Sequence, residues 1–212
     1  MSDDFADKLA AVLDSRPPRG ADVADAREAA VLVPIVAVPE PTLIFTVRTD
    51  TVRSHKGQIS FPGGSIDATD ATALDAALRE TQEEIGLDPS NVRVLGGMDE
   101  TPTFVSGFVV APFVGWLAQP PELTPNPAEV AEILHIPISS LVEDVRREPG
   151  FRHGGRTYPT EAWIWNDHVI WGVTARLLRS FMQLLADAGL AEPPGDTISW
   201  SAWPPPPRSS TA

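Results

Sequence analysis

The 212-residue chain contains no cysteine. This absence excludes disulfide bridges, thiolate catalysis and zinc sites built on cysteine. Long apolar runs are also missing, since no stretch reaches the roughly 20 residues that a membrane span requires. The amino terminus, Met-Ser-Asp-Asp, has neither the basic region nor the apolar run of a signal peptide. These absences predict a cytoplasmic protein without a membrane segment.

Positive charge is scarce as well. There are 16 basic against 29 acidic side chains, and the formal net charge is −13. Because nucleic acids and anionic membranes attract basic surfaces, nonspecific binding to either is disfavoured. An anionic small-molecule substrate must therefore be attracted locally, by a metal ion and by a few basic residues. The candidates are Arg48, Arg53 and Lys56.

The composition suits one compact domain, because 42% of the residues are hydrophobic and 21% are charged. We expect a single domain over residues 1–192, with its motif-bearing core at about 30–180, and a flexible proline-rich tail over 193–212.

A first helix at residues 5–13 is predicted to pack on the domain, and a homodimer surface is its alternative. Strands are predicted at 31–38, 42–47, 92–95 and 108–117, and a late helix at 174–188. Together these elements predict an α/β/α sandwich.

The segment from Gly63 to Leu87 contains a glycine turn followed by a predicted helix. On a helix, Glu80, Glu83 and Glu84 are spaced i, i+3 and i+4, so their carboxylates project from one face. That face is predicted to stay open to a ligand, while the other face packs. The residues predicted to pack are Leu74, Leu78, Thr81 and Ile85.

Two interpretations of the three glutamates are open from their spacing. A solvated acidic helix is one, because the chain is strongly acidic. A site for a divalent cation is the other, because ions such as Mg²⁺ bind carboxylate oxygens together with water and substrate phosphates. Gly63 and Gly64 favour the second, since their backbone can approach a ligand closely. Asp67 or Asp70 is predicted to cap the helix start, and Gly86 to end it.

This segment resembles the box of the Nudix hydrolases, Gly-x5-Glu-x7-Arg-Glu-U-x-Glu-Glu-x-Gly-U, where U is a bulky aliphatic residue. The second half matches from Arg79 onward, except that Thr81 stands at an aliphatic position. Counting from Gly64, Asp70 takes the place of the first Glu and lies one residue farther from Arg79 than the box requires. The resemblance implies a Nudix-type α/β/α sandwich with a mixed sheet and a catalytic loop-helix-loop.

A second pattern, upstream, resembles the coenzyme A signature of one Nudix subfamily, Leu-Leu-Thr-x-Arg-(Ser/Ala)-x3-Arg-x3-Gly-x3-Phe-Pro-Gly-Gly. This chain has Ile44-Phe45 for Leu-Leu and Thr49 for Ser or Ala, and all the spacings agree. The resemblance implies a set of substrate-binding residues. They are Arg48, Arg53, Gly57, Gly63 and Gly64.

The implied reaction is hydrolysis of a pyrophosphate linkage by water, with Mg²⁺ or Mn²⁺ stabilising charge on the bridging and leaving oxygens. Coenzyme A would give 3′,5′-ADP and 4′-phosphopantetheine. The general base is Glu129, from a later loop, or else Glu83 or Glu84. Arg79 is expected to orient the glutamates. The implied metal ligands are Glu80, Glu83, Glu84 and a backbone carbonyl at Gly64 or Gly63.

Two other functions are weighed against coenzyme A hydrolysis. One is a Nudix hydrolase for another nucleoside diphosphate derivative, such as ADP-ribose or a dinucleotide, which the upstream signature disfavours. The other is a binding module that keeps the fold without catalysis, which the presence of all three box glutamates disfavours.

Overall fold

The computed structural model describes residues 2–49, 57–103, 106–144, 151–153, 156–158 and 162–195. The helices of this part of the chain are α1 (Ser2–Ser15), α2 (Ala73–Ile85) and α3 (Gly172–Asp187). The long strands are β1 (Arg27–Val36), β2 (Thr42–Arg48), β7 (Phe108–Leu117) and β8 (Val130–Pro137). The shorter strands are β3 (Ile59–Ser60), β4 (Gly63–Ser65), β5 (Arg93–Gly97), β6 (Thr101–Pro102), β9 (Val142–Asp144), β10 (Phe151–His153), β11 (Arg156–Tyr158), β12 (Ala162–Trp165) and β13 (His168–Trp171).

Eight strands form one mixed sheet in the order β3-β2-β1-β7-β5, with β4 paired to β1, β6 to β7 and β8 to β2. The parallel pair is β1 with β7, which run side by side from Arg27 opposite Phe108 to Val36 opposite Leu117. The pairs of β2 with β1 and with β8 are antiparallel. Strands β9, β12 and β13 form a second sheet, and β10 pairs with β11.

Helices cover both faces of the large sheet, because alternate residues of its central strands point to opposite sides. On β1, Val33 and Ile35 pack in one apolar cluster with residues of α1 and α3. Leu32 and Val36 pack in another cluster with Ile85, at the end of α2. The expected α/β/α sandwich is confirmed, with α1 and α3 on one face and α2 on the other.

Helix α2 begins and ends at residues with clear local causes. Thr72 is extended (φ −143°) and its side chain accepts a hydrogen bond from the Asp75 amide, so Thr72 is the N-cap. The expectation that Asp67 or Asp70 caps the helix is therefore wrong. Asp70 instead accepts from the Asp67 amide at 2.8 Å and shapes the turn before the helix. Gly86 ends the helix as expected, with a left-handed φ of 71°.

Thr81, which stands where the Nudix box has an aliphatic residue, is buried on α2. Its hydroxyl donates to the Ala77 carbonyl at 2.6 Å, one turn earlier in the helix. Because this bond satisfies the polar atom within the helix, threonine occupies an apolar position without an unpaired buried hydroxyl.

The predicted first helix, the four predicted strands and the late helix are all present, with bounds that shift by a few residues. The remaining strands were not predicted, and β8 is the longest of them. On β8, exposed and buried residues alternate irregularly, so the two-residue period of a strand is weak in its sequence. Its strand conformation depends on pairing with β2. The domain limit at residue 192, the homodimer and the cytoplasmic location stay predictions from the sequence. Residues 196–212 of the predicted tail lie outside the described residues.

No helix within the described ranges is both long enough and apolar enough to cross a membrane.

Replacement of Phe45 tests the core that supports the glycine turn. Phe45 is fully buried on β2 and stacks on Phe61, which begins that turn, with ring centroids 4.5 Å apart. We expect Phe45→Ala to lower the free energy of unfolding by about 3–5 kcal/mol, because it leaves a cavity and removes this contact. The control is Val94→Ala on β5, which is 37% exposed and should change stability by less than about 0.5 kcal/mol. Urea denaturation measures both, and equal losses would contradict the prediction.

Candidate active site

The three glutamates of α2 have very different environments. The side chain of Glu83 is 58% exposed, that of Glu80 is 18% exposed and that of Glu84 is 4% exposed. The expectation of three carboxylates on one open face is therefore wrong for Glu84. The arc that the three residues span is wide enough for Glu84 to lie under the glycine turn while Glu83 faces solvent.

The carboxylate of Glu84 is held between the glycine turn and strand β2. Its Oε2 atom accepts a hydrogen bond from the Gly63 amide at 3.1 Å. Its Oε1 atom lies 3.8 Å from Nη1 of Arg48, whose side chain is 29% exposed. Two segments that are distant in sequence thus meet at one buried carboxylate.

Burial raises the pKa of Glu84 to about 7, because the charged form loses its solvation. The Gly63 amide and the Arg48 guanidinium oppose this rise, while the negative charges of Glu129 and Glu80 add to it. Burial also raises the pKa of Glu80, against the opposing hydrogen bond from Arg79. Ionising these neighbouring, partly buried carboxylates therefore costs free energy, and a bound cation would remove that cost.

Arg79 connects the acidic residues around the start and middle of α2. Its Nε and Nη2 atoms each lie 2.9 Å from an oxygen of Asp70, and this pair holds the pKa of Asp70 at about 2. Its Nη1 atom donates to Glu80 at 2.9 Å and lies 3.4 Å from Glu83. Asp70 thus orients the arginine that orients two of the glutamates.

The two glycines of the turn allow the backbone to approach its neighbours closely. Gly63 has φ +146°, and a Cβ there would collide with the Ala30 carbonyl and with Val31. A Cβ at Gly64 would collide with the carboxylate of Glu80. A larger residue at Gly63 would displace the turn from the backbone of β1, and one at Gly64 would displace the Glu80 carboxylate.

Glu129 approaches the same carboxylates from the loop before β8. The Asn126 amide donates to the Glu84 carbonyl at 2.8 Å, which ties that loop to the end of α2. The Glu129 amide donates to Asn126 at 3.0 Å, and its carbonyl accepts from the Thr49 amide at 2.9 Å. The charge of Glu129 contributes to the raised pKa values of both Glu80 and Glu84. The sequence did not predict the hydrogen bond between the Asn126 amide and the Glu84 carbonyl, because backbone hydrogen bonds do not depend on a pattern of side chains.

The predicted substrate residues are only partly within the described chain. Arg48 and Gly57 lie at the end of the β2–β3 hairpin where the connecting loop begins and ends, and the Gly57 amide donates to the Arg48 carbonyl at 3.1 Å. Gly63 and Gly64 follow in β4. Arg53 lies outside the described residues, and so does Lys56.

The residues of the site fit a hard divalent cation. Within the described parts of the chain, no three histidine, aspartate or glutamate side chains converge closely enough to hold a metal by themselves. One reason is that the Arg79 guanidinium lies between the carboxylates of Glu80 and Glu83. Mg²⁺ commonly binds one or two carboxylates and completes its shell with water and substrate phosphates, so it does not require a full protein cage. The oxygen donors and the raised pKa of Glu84 both suit such an ion.

The chain is similar to known proteins in sequence and in fold. Residues 26–153 match the NUDIX domain family. The chain is 39% identical over 172 residues to "Uncharacterized Nudix hydrolase NudL" of Pectobacterium atrosepticum, covering 81% of this chain and 89% of that protein. The NudL protein of Photorhabdus laumondii is 36% identical over 187 residues, covering 85% and 95%. A solved MutT/nudix family protein from Enterococcus faecalis shares the fold, with a TM-score of 0.51 at 14% identity over 79% of this chain and 64% of that one.

Replacement of Glu84 by glutamine is expected to stabilise the metal-free protein at pH 8. The folded-state pKa of about 7 lies above the unfolded value of about 4.3, so the folded state binds more protons between these values. Wild-type stability must therefore fall as pH rises through this window. Glu84→Gln removes the buried charge and keeps an acceptor for Gly63, which should add on the order of 2 kcal/mol at pH 8.

Urea denaturation in chelator at pH 8 and pH 5 checks this expectation. The gain from Glu84→Gln should be small at pH 5, where the folded wild type carries a neutral Glu84. The matched control is Glu83→Gln, whose exposed side chain should change stability by less than about 0.5 kcal/mol at either pH. A gain that is the same at both pH values would contradict the assignment.

Proposed function

Because the chain belongs to the Nudix hydrolase family, we propose that it hydrolyses the diphosphate linkage of coenzyme A and its derivatives. Water adds to one phosphorus of the linkage, the bond from that phosphorus to the bridging oxygen breaks, and two phosphomonoesters form. With coenzyme A these products are 3′,5′-ADP and 4′-phosphopantetheine.

One observation supports coenzyme A over other diphosphates: the segment that resembles the coenzyme A signature folds directly against the segment that resembles the Nudix box. Strands β2 and β3 form a hairpin that leads into the glycine turn. Arg48 of that hairpin lies 3.8 Å from Glu84 of the box. A substrate whose diphosphate lies at the box would thus have the signature residues beside it. Arg48, Arg53 and Gly57 are the proposed substrate residues, with Gly63 and Gly64.

Mg²⁺ or Mn²⁺ is the proposed cofactor, held by Glu80, Glu83, Glu84 and the Gly64 carbonyl. When bound, such an ion acts as a Lewis acid that neutralises the diphosphate and stabilises charge on its oxygens. The chain itself orients these ligands through Asp70 and Arg79. The Gly63 amide fixes one oxygen of Glu84.

The proposed general base is Glu129, which takes a proton from the attacking water. Its loop is fixed at both ends by backbone hydrogen bonds, to the end of α2 and to Thr49, which follows β2. Glu129 is half-buried and lies close enough to Glu80 and Glu84 to influence the pKa of each. A base in this position would act beside the carboxylates that bind the metal.

A product analysis tests the substrate assignment. Purified protein is incubated with coenzyme A, acetyl coenzyme A, ADP-ribose or NADH, each with Mg²⁺, Mn²⁺ or chelator, and the products are resolved by mass. We expect metal-dependent release of 3′,5′-ADP with phosphopantetheine or its acyl form, and loss by orders of magnitude in Glu83→Gln. Metal-dependent cleavage of ADP-ribose or NADH alone would keep the diphosphatase and overturn the coenzyme A assignment.

Glutamine at position 129 tests the base. We expect Glu129→Gln to lower kcat by about 10²-fold or more with little change in KM, since general-base catalysis contributes that much. The matched control is Glu132→Gln, three residues farther along and exposed on β8, which should keep wild-type kcat. If both variants keep kcat, the base is Glu83 or Glu84 instead.

A further inference from the structure

A cavity of about 610 Å³ lies between α1, the β5–β6 segment and α3. Helices α1 and α3 cover the face of the sheet opposite α2, so this cavity is separated from the three glutamates by the sheet itself. Its volume is in the range of cavities that bind small ligands of nucleotide size. No step of the diphosphatase reaction described above uses it.

Four arginines line this cavity, which is unusual in a chain with a net charge of −13 and only 16 basic residues. Arg16 and Arg19 follow α1, while Arg176 and Arg179 are spaced i, i+3 on one face of α3. The sequence separates the two pairs by more than half of the chain. Tertiary packing therefore brings four like charges together, which is unfavourable unless anions share the space.

Protein groups already hold these guanidinium groups in place around the cavity. The Arg19 Nε and Nη2 atoms donate to one Asp99 oxygen at 3.0 and 2.7 Å. Arg16 donates to Asp187 at 3.1 Å. Arg176 donates to the Pro102 carbonyl and Arg179 to the Gly195 carbonyl. Arg179 is only 8% exposed, so its charge is fixed within the wall of the cavity.

We propose that this cavity is a second anion site, which binds a phosphate-bearing small molecule of nucleotide size. Guanidinium groups bind phosphate oxygens with two parallel hydrogen bonds, and a phosphate offers more oxygens and more charge than a carboxylate. Asp99 is the acidic residue among those lining the described cavity, and it engages Arg19 as a ligand phosphate would. The ligand would thus compete with Asp99 and connect α1 to α3.

Calorimetric titration with inorganic pyrophosphate tests the site, using the full chain at fixed ionic strength of about 0.15 M with chelator present. We expect saturable binding to wild type with Kd of about 1 mM or tighter. The double variant Arg16→Gln/Arg19→Gln should raise Kd at least tenfold. Both side chains are well exposed, at 45% and 79%, so the variant should fold.

Arg93→Gln is the matched control, because it removes one positive charge and one ion pair, to Asp7 at 2.7 Å, outside the cavity. It should leave Kd unchanged. Asp99→Asn should tighten binding several-fold, since it removes the competing carboxylate and leaves Arg19 charged. The proposal is overturned if wild type shows no saturable binding, if the double variant binds as wild type does, or if Arg93→Gln weakens binding as much. Weaker binding by Asp99→Asn would also overturn it.

Discussion

The hydrogen bond from the Gly63 amide to the buried carboxylate of Glu84 is the contact on which the proposed active site depends. It joins the glycine turn to the helix that follows it and fixes how closely the two approach. A carboxylate in this position is unfavourable while it is charged, and burial raises its pKa to about 7. A pKa raised in this way is typical of functional sites.

The residues around Glu84 limit the free-energy cost of burying its carboxylate and hold the residues of the site in place. Asp70 holds Arg79, and Arg79 in turn contacts Glu80 and Glu83, so one guanidinium partly neutralises both carboxylates. On the other side of Glu84, the Asn126 amide ties the following loop to the end of α2. These contacts join the residues of the Nudix box to a loop more than 40 positions downstream.

The two faces of the sheet carry different clusters of charged side chains, although α1 begins with Asp3 and Asp4 and the arginines that follow it pair with Asp99 and Asp187. Acidic residues gather around α2, whereas four of the 16 basic residues line one cavity beside α1 and α3. Because the sheet lies between them, the two sets of charges interact weakly, and each can attract a different ligand. A chain with a strongly negative net charge can in this way hold the proposed anion site away from the proposed metal site.

The sequence by itself determined the family, the glycine turn, the helix that follows and the identity of the box glutamates, because these depend on spacing within one short segment. It also predicted β1, β2, β5 and β7, though not β8, and the end of α2 at Gly86. Only the tertiary structure decided that Glu84 is buried while Glu83 is exposed, that Thr72 caps α2, and that Asp70 pairs with Arg79. Spacing gives the direction of a side chain on its helix, but burial depends on which distant strand or turn packs against it. The convergence of Arg16 and Arg19 with Arg176 and Arg179 has the same cause, since no local pattern relates residues 160 positions apart.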